Sequence, residues 1–288
     1  MEYAIVVGVE FVYAIATLAL ISLGLAIVFG MMRIINLAHG EFMVMGSYAA
    51  TVAVHHGVNV WISILIVPPI VVGLIGMVVE RLLVRHLYGR MVETMLATWG
   101  LSLFVVGLLT TVFGDTTEGV PTPLRGIAVG AYQVSGYGLF VIGLTVVTML
   151  GMYALLRSTR FGLLARGTMQ NADMAAALGT DTSKVYAVTF TLGAALAGFA
   201  GGVLAPVSGV FPSIGGSYIG RAFITVIGGG AAPLFGTASA STLFGIINQI
   251  ATFASNPVYG EVALLLAAIV LIRAMPQGIT GRFFRGRL

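Results

Sequence analysis

The chain has 288 residues, 58% hydrophobic and only 8% charged, with a mean hydropathy of +1.04; soluble domains carry about 25% charged residues, so the composition excludes a soluble globular protein and predicts an all-α polytopic bundle held together by packing in lipid. The absence of cysteine excludes disulfides, thiolate metal sites and cysteine nucleophiles. The net charge of +4 comes from basic residues scattered beside hydrophobic runs, which argues against a nucleic-acid-binding face.

A membrane span needs roughly 20 apolar residues. The N-terminal MEYAIVVGVE carries Glu2 and Glu10 where a secretory signal has a basic flank, so Phe11 to Gly30 reads as a retained first span. Arg33 to Val54 is the second, and Trp61 to Val79 the third, followed by the basic cluster Arg81, Arg85, His86 and Arg90. Thr94 to Phe113 is the fourth. Asp115 to Ser135, rich in proline and glycine, predicts a surface loop with a small hairpin. Leu139 to Leu156 is the fifth span and Val185 to Leu204 the sixth, with a long polar loop, 157–184, between them. After Pro206 comes the irregular VSGVFPSIGGSYIG. Arg221 to Ala232 is then apolar but too short to cross alone, and it ends in Gly228, Gly229 and Gly230. That pattern predicts a broken or re-entrant helix in the C-terminal half. Leu234 to Ala254 and Tyr259 to Ile272 complete about eight spans in a single domain over 1–288, before the basic tail Arg273, Arg282, Arg285 and Arg287.

The polar loop holds Arg157, Arg160, Arg166, Asp173, Asp181 and Lys184, each of which would cost a few kcal/mol in hydrocarbon. It therefore lies in water. Within it, NADMAAAL from Asn171 to Leu178 has a capping residue at its start, an alanine-rich body containing Asp173, Ala175 and Ala176, and Gly179 at its end. These features predict a two-turn helix. Exposed between two spans, such a helix suits docking to a soluble partner; a plain solvated connector is the other reading. Grouping the Arg81 cluster, this loop and the C-terminal tail leaves only Arg125 and Arg221 opposite. The positive-inside rule makes the crowded side cytoplasmic and puts the N-terminus outside.

Nothing in the chain predicts catalysis or a metal. There is no H-E-x-x-H and no G-x-S-x-G, and the adjacent His55 and His56 would point in different directions on a helix. Lys184, the only lysine, lies in GTDTSKV, which lacks the second glycine and the following Ser/Thr of a phosphate-binding loop, so this chain does not bind ATP in that way. Two small-residue rows run along the sixth span: Ala194, Gly198, Gly202 and Ala197, Gly201, Ala205. Such rows let helix backbones approach closely; one predicts internal packing and the other a contact with a second transmembrane subunit. On a helical second span, Arg33, Asn36 and Gly40 share a face, as do Asn36 and His39. Polar groups within a membrane point to a pathway or to a hydrogen-bonded helix anchor. The nearby Met31, Met32, Met43 and Met45 read as core filler.

Three passages carry a family resemblance. GLAIVFGMMRIINLAHGEFMVMGSYAA resembles the signature of membrane-spanning permeases of branched-chain amino-acid ABC importers, in which a glycine-rich first span leads into N-(L/F)-A-H-G. QNADMAAALGTDTSKVYAVTFTLGAALAGFAGGVLAP resembles the same family's cytoplasmic loop and following span. YIGRAFITVIGGGAAPLFG, with the ending RAMPQGITGRF, resembles its third conserved stretch, although Met275 precedes Pro276 and Arg273 is displaced. The resemblance implies half of a translocation pore in a bacterial inner membrane, with a homologous second permease, two cytoplasmic ATPase subunits that bind the ATP, and a periplasmic substrate-binding protein. It places Asn36, His39, Gly40 and Glu41 in the signature tied to the pathway. It also puts Asn171, Asp173, Ala175, Ala176 and Gly179 where the family's coupling helix meets the ATPase. Branches of the family that import urea or short-chain amides look much alike, so the cargo stays open among these.

Two other classes compete. A stand-alone secondary transporter or channel needs ion-coupling carboxylates deep in spans, and Glu10, Glu41, Glu80, Glu93 and Glu261 all fall towards span ends, Glu41 keeping the possibility open. A purely structural subunit is disfavoured by the broken, glycine-rich segment from Ser208 to Gly230.

Overall fold

The computed structural model describes the backbone of residues 2–230 and 232–283, with side chains as far as Gly281; the tail residues Arg282, Arg285 and Arg287 lie outside the described side chains. In chain order the helices are α1 Glu2–Met32, α2 His39–His55, α3 Val60–Leu65, α4 Val67–Leu82, α5 Met91–Phe113, α6 Gly136–Ser158, α7 Arg160–Gln170, α8 Ala172–Ala177, α9 Thr182–Ser208, α10 Gly215–Gly229, α11 Pro233–Ala254, α12 Pro257–Ala274 and α13 Gly278–Phe283. A hairpin of β1 Gly126–Val129 and β2 Tyr132–Ser135 pairs Gly126 with Ser135 and Val129 with Tyr132, as the loop composition predicts. The fold is an all-α polytopic bundle.

Among the described residues, six helices are long and apolar enough to cross a membrane, or seven when the α10–α11 pair counts as one bent span, against the eight expected. The difference lies largely in the second predicted span. Residues 33–38 are not helical and α2 has 17 residues, about 26 Å at 1.5 Å per residue, with protein around most of its length. α1 is longer than expected, starting at Glu2. The third span divides at Ile66 into α3 and α4, where Pro68 and Pro69 open the new helix because proline fits a first turn and not a helix interior.

The chain forms two compact units. One takes in the N-terminal part to Leu23, Thr122–Leu150 and the chain from Arg221 on. Its core gathers Leu18, Ala240, Phe244, Leu264, Ala268 and Leu271, and α11 packs along α12. Here Gly245 lies against the backbone of Ile15, so α1 and α11 touch where a larger side chain would hold them apart.

The other unit comprises Gly24–Pro121 and Gly151–Gly220 and is organised on α9, which packs against α2 on one side and α4 on another. Its small residues explain the closeness. A methyl group at Gly198 would meet Val72 and the Pro68 carbonyl, one at Gly202 would meet Pro68 and the Ile64 carbonyl, and Gly76 faces Ala194. On the α2 side, Gly201 lies on the Met43 carbonyl, Gly46 on Gly198, and the Ser47 hydroxyl donates to the Gly201 carbonyl at 2.9 Å. Both small-residue rows are thus spent within this unit, which corrects the expectation that one of them faces a second subunit. Phe42 and Phe190 meet edge to face, 6.0 Å between centroids, in the geometry that aromatic quadrupoles favour.

Candidate functional site

The signature residues Asn36, His39, Gly40 and Glu41 come together, though not on a helical face. Arg33 adopts φ +53°, a left-handed conformation uncommon outside glycine, and the chain then runs irregularly to Ala38. The Asn36 side chain accepts the Ala38 N–H at 3.1 Å, and its carbonyl accepts the His39 N–H at 3.4 Å. This local side-chain turn competes with the helix and ends the expected Arg33–Asn36–Gly40 face. Irregular backbone at membrane depth must be paired inside the protein, and Thr98 of α5 does so: its hydroxyl accepts the Leu37 N–H at 3.0 Å and donates towards the Ile35 carbonyl at 3.3 Å. Thr98 is the residue that periodicity alone misses.

His39, Gly40 and Glu41 form the first turn of α2 and are buried. The His39 ring edge lies against Gly24 of α1, and Gly40 rests on the Gly215 carbonyl. Glu41 is 3% exposed; Ser102 is the side-chain partner of its carboxylate, and its Oε2 has no partner among the described residues. A carboxyl group is rarely held this far from water in a membrane protein. The chemistry available is proton exchange and hydrogen bonding.

The short helix predicted within the polar loop is present as α8. Asn171 caps α8 by accepting the Met174 N–H at 2.9 Å. At the other end Gly179 adopts φ +87°, with Thr180 N–H bonded to the Ala175 carbonyl at 3.0 Å and Gly179 N–H to the Ala176 carbonyl at 2.9 Å. Those two bonds are the Schellman pattern. Asn171, Asp173, Ala176 and Gly179 are exposed, whereas Ala175 turns inward and is buried. Met174 and Leu178, one turn apart, are 58% and 80% exposed and give α8 an apolar surface. Ahead of α8, the stretch read as loop is the helix α7, capped by the Thr159 side chain accepting the Gly162 N–H at 3.1 Å, with Gly162, Ala165 and Thr168 buried. After it, Asp181 caps α9 and pairs with Lys184 Nζ at 3.0 Å. The bonds from Lys184 hold the Asp181 carboxyl below the usual carboxylate range.

Beside this segment, Tyr88 donates its phenol proton to the buried Glu80. Burial, and then the carboxylate beside it, hold the phenol well above its usual range.

Gly228, Gly229 and Gly230 lie where a break is expected. α10 and α11 meet at a bend of 112°. Gly228 packs on the Phe244 ring, Gly229 on Gly236, and Gly230, at φ +83°, on the backbone of Gln277 and Gly278. Thr280 closes the gap: its hydroxyl donates to the Gly229 carbonyl at 2.6 Å and accepts the Ala232 N–H at 3.2 Å. The C-terminal PQGIT thereby latches the bend.

The sequence compares with known proteins over nearly its whole length. Residues 8–275 match the family described as branched-chain amino acid transport system / permease component. The chain is 29% identical over 280 residues to the probable branched-chain amino acid transport permease protein LivH of Methanocaldococcus jannaschii, covering 92% of this chain and 88% of that one. It is 28% identical over 283 residues to the high-affinity branched-chain amino acid transport system permease protein LivH of Salmonella typhimurium, and 26% over 284 to the corresponding BraD of Pseudomonas aeruginosa, each covering 93% of this chain and 92% of the relative. No solved structure matches. A match from Gly8 to Met275, across every helix from α1 to α12, leaves one conclusion: the chain belongs to the family of permease components of branched-chain amino acid transport systems.

Proposed function

We propose that this chain is one half of the translocation pathway of a bacterial ABC importer for branched-chain amino acids. In this reading it works with a homologous second permease, two cytoplasmic ATPase subunits and a periplasmic binding protein. It sits in the inner membrane with its N-terminus periplasmic and its C-terminus cytoplasmic, and it carries out no covalent chemistry and holds no cofactor, ATP being bound by the partners. The observation that carries the proposal is α8. It is a short helix fixed at both ends by its own caps, presenting Met174 and Leu178 to solvent in a family of transport permeases. A rigid, exposed apolar knob between two long helices passes motion from a soluble partner into α9. The buried cluster at Asn36, His39 and Glu41 then belongs to the pathway that rocking of the helices opens to alternate sides.

The test is to purify the tagged chain from its native membrane in mild detergent, identify what accompanies it, and reconstitute the assembly for uptake of leucine and of acetamide or urea. Recovery of a second permease and two ATPase subunits, with ATP-dependent leucine uptake, is the expected result. Uptake of urea or acetamide alone moves the cargo to the amide branch. Repeated recovery of the folded chain by itself favours a stand-alone transporter, with Glu41 as its coupling group.

A further inference from the structure

A second polar site lies in the unit built on α1, α11 and α12. A cleft of about 220 Å³ opens between Glu10, Leu18, Arg221, Asn248, Glu261 and Leu264. Arg221 reaches Glu261 through two contacts, Nη2–Oε1 at 2.6 Å and Nε–Oε2 at 3.1 Å, and Asn248 Nδ2 lies 3.5 Å from Glu261 Oε1. Thr17 also lines the cleft, and its buried hydroxyl has no partner among the described residues. One wall is polar and of both signs; the other includes Leu18 and Leu264, which belong to the unit's buried core. Glu10, Asn248 and Glu261 each lie within roughly two turns of the helix ends at Glu2, Ala254 and Pro257, and Phe11 stacks on Phe253 at 5.9 Å. All three ends therefore meet at one level.

The ion pair lies at the edge of the span with its side chains 36% and 40% exposed, open to an arriving ligand and set against the apolar core of the unit. A cavity smaller than the roughly 300–1,000 Å³ of drug-sized ligands selects a very small one. The geometry points to this cleft as the binding site for the charged end of a zwitterionic amino acid on its way through the permease, an inference that rests on the amino-acid reading of the function. The Arg221–Glu261 pair carries the two charges that an amino acid carries on adjacent groups. An arriving zwitterion exchanges that internal pair for two of its own: its carboxylate with Arg221, its ammonium with Glu261 and Glu10. The aliphatic side chain is left to Leu18 and Leu264. The ends of α1, α11 and α12 at this level are those that the distribution of basic residues places outside, the side on which a binding protein would release its cargo. An uncharged amide or urea has no use for a paired cation and anion, so the cleft also separates the two cargo classes.

The test uses the complete complex with its partner permease and ATPase subunits, without the binding protein, in lipid nanodiscs. Its thermal unfolding is followed during titration with L-leucine, 4-methylpentanoate and acetamide. Leucine should raise the unfolding temperature of the wild type, whereas 4-methylpentanoate, which lacks the ammonium, and acetamide should not. Glu10→Gln, which breaks no ion pair, should leave the unliganded complex as stable as the wild type and raise the half-saturating leucine concentration at least fivefold; Glu261→Gln should abolish the effect. An absent leucine effect in the wild type, an equal effect from acetamide, or a leucine effect unchanged in both variants overturns the proposal and leaves the ion pair as a structural tie. Uptake keeps the two readings apart. A wild type that transports leucine while both variants bind and transport it unchanged overturns the cleft alone, whereas a wild type that transports acetamide and not leucine overturns both.

Discussion

Tyr88 donates its phenol proton to Glu80, a carboxylate only 1% exposed near the end of α4. Removing the donor leaves a buried acceptor unpaired, so Tyr88→Phe should destabilise the protein by about 2–3 kcal/mol, measured by thermal or denaturant unfolding in detergent. Adding Glu80→Gln to that variant should recover part of the loss, because a neutral amide costs less to bury than a carboxylate. The Tyr88 phenol is raised in the folded state. Its contribution is therefore present below the ordinary tyrosine value of about 10 and lost as pH rises towards the folded value. Wild type should lose stability above pH about 10 more steeply than Tyr88→Phe.

Gly40 and Gly201 each carry a neighbouring carbonyl directly over Cα, from Gly215 and Met43. Alanine at either position forces two backbones apart and should cost about 1–3 kcal/mol. Gly100→Ala in α5, where nothing lies within 4 Å of the added methyl, should be neutral or stabilising by up to about 1 kcal/mol. Folded yield and unfolding temperature of the three variants check the contrast.

The φ of +87° at Gly179 makes that position conformational rather than packed, since a methyl there meets nothing within 4 Å. Gly179→Val should therefore strain the cap by about 1–2 kcal/mol and misplace α8 while the chain still inserts. The expected readout is ATP hydrolysis no longer accompanied by uptake. Gly179→Asn, which tolerates the left-handed conformation, should keep the two coupled, and equal coupling in Gly179→Val would remove α8 from the transmission path.

Thr280 bridges the two sides of the α10–α11 bend. Thr280→Val keeps the shape and loses both hydrogen bonds, at a cost of about 1–3 kcal/mol, and Thr280→Ser should restore most of it. Hydrogen exchange at Gly230 and Ala232 should speed up in the valine variant and stay slow in the serine variant.

The Asp181 carboxyl is held low by Lys184. Its contribution is complete above the ordinary aspartate value of about 3.9 and fades as pH falls through the lower folded value. Lys184→Met should move the carboxyl titration back up towards that ordinary value, followed by NMR of the side-chain carboxyl. The move should be incomplete, because the backbone N–H at position 184 still bonds it.

What was legible in the sequence was local. Asn171 and Gly179 mark α8 because caps act within one turn, and the glycines at 228–230 mark a break because few other residues allow it. The interruption between α1 and α2 was hidden, since MMRIINLA contains neither glycine nor proline. Thr98, 61 residues from Leu37, makes that irregular backbone tolerable, and no periodicity reports a partner so distant. The same holds for α9: the spacing of its small residues announced close packing, but only the fold shows that α2 and α4 occupy both rows. α7 lies in the stretch that its charges, Arg160 and Arg166, mark as a polar loop. Gly162 is the residue that fits beneath the Leu155 and Leu156 carbonyls, a demand invisible until the chain turns back. Arg221 and Glu261 lie 40 residues apart, and each alone looked like a span-end charge.

The latch on the α10–α11 bend also has a timing. Thr280 is synthesised 51 residues after Gly229, so the Gly229 carbonyl and the Ala232 N–H wait for their partner until late in synthesis. The arriving end of the chain then settles them. A chain cut before Thr280 keeps the packing of Gly228 on Phe244 and of Gly229 on Gly236 and loses both hydrogen bonds.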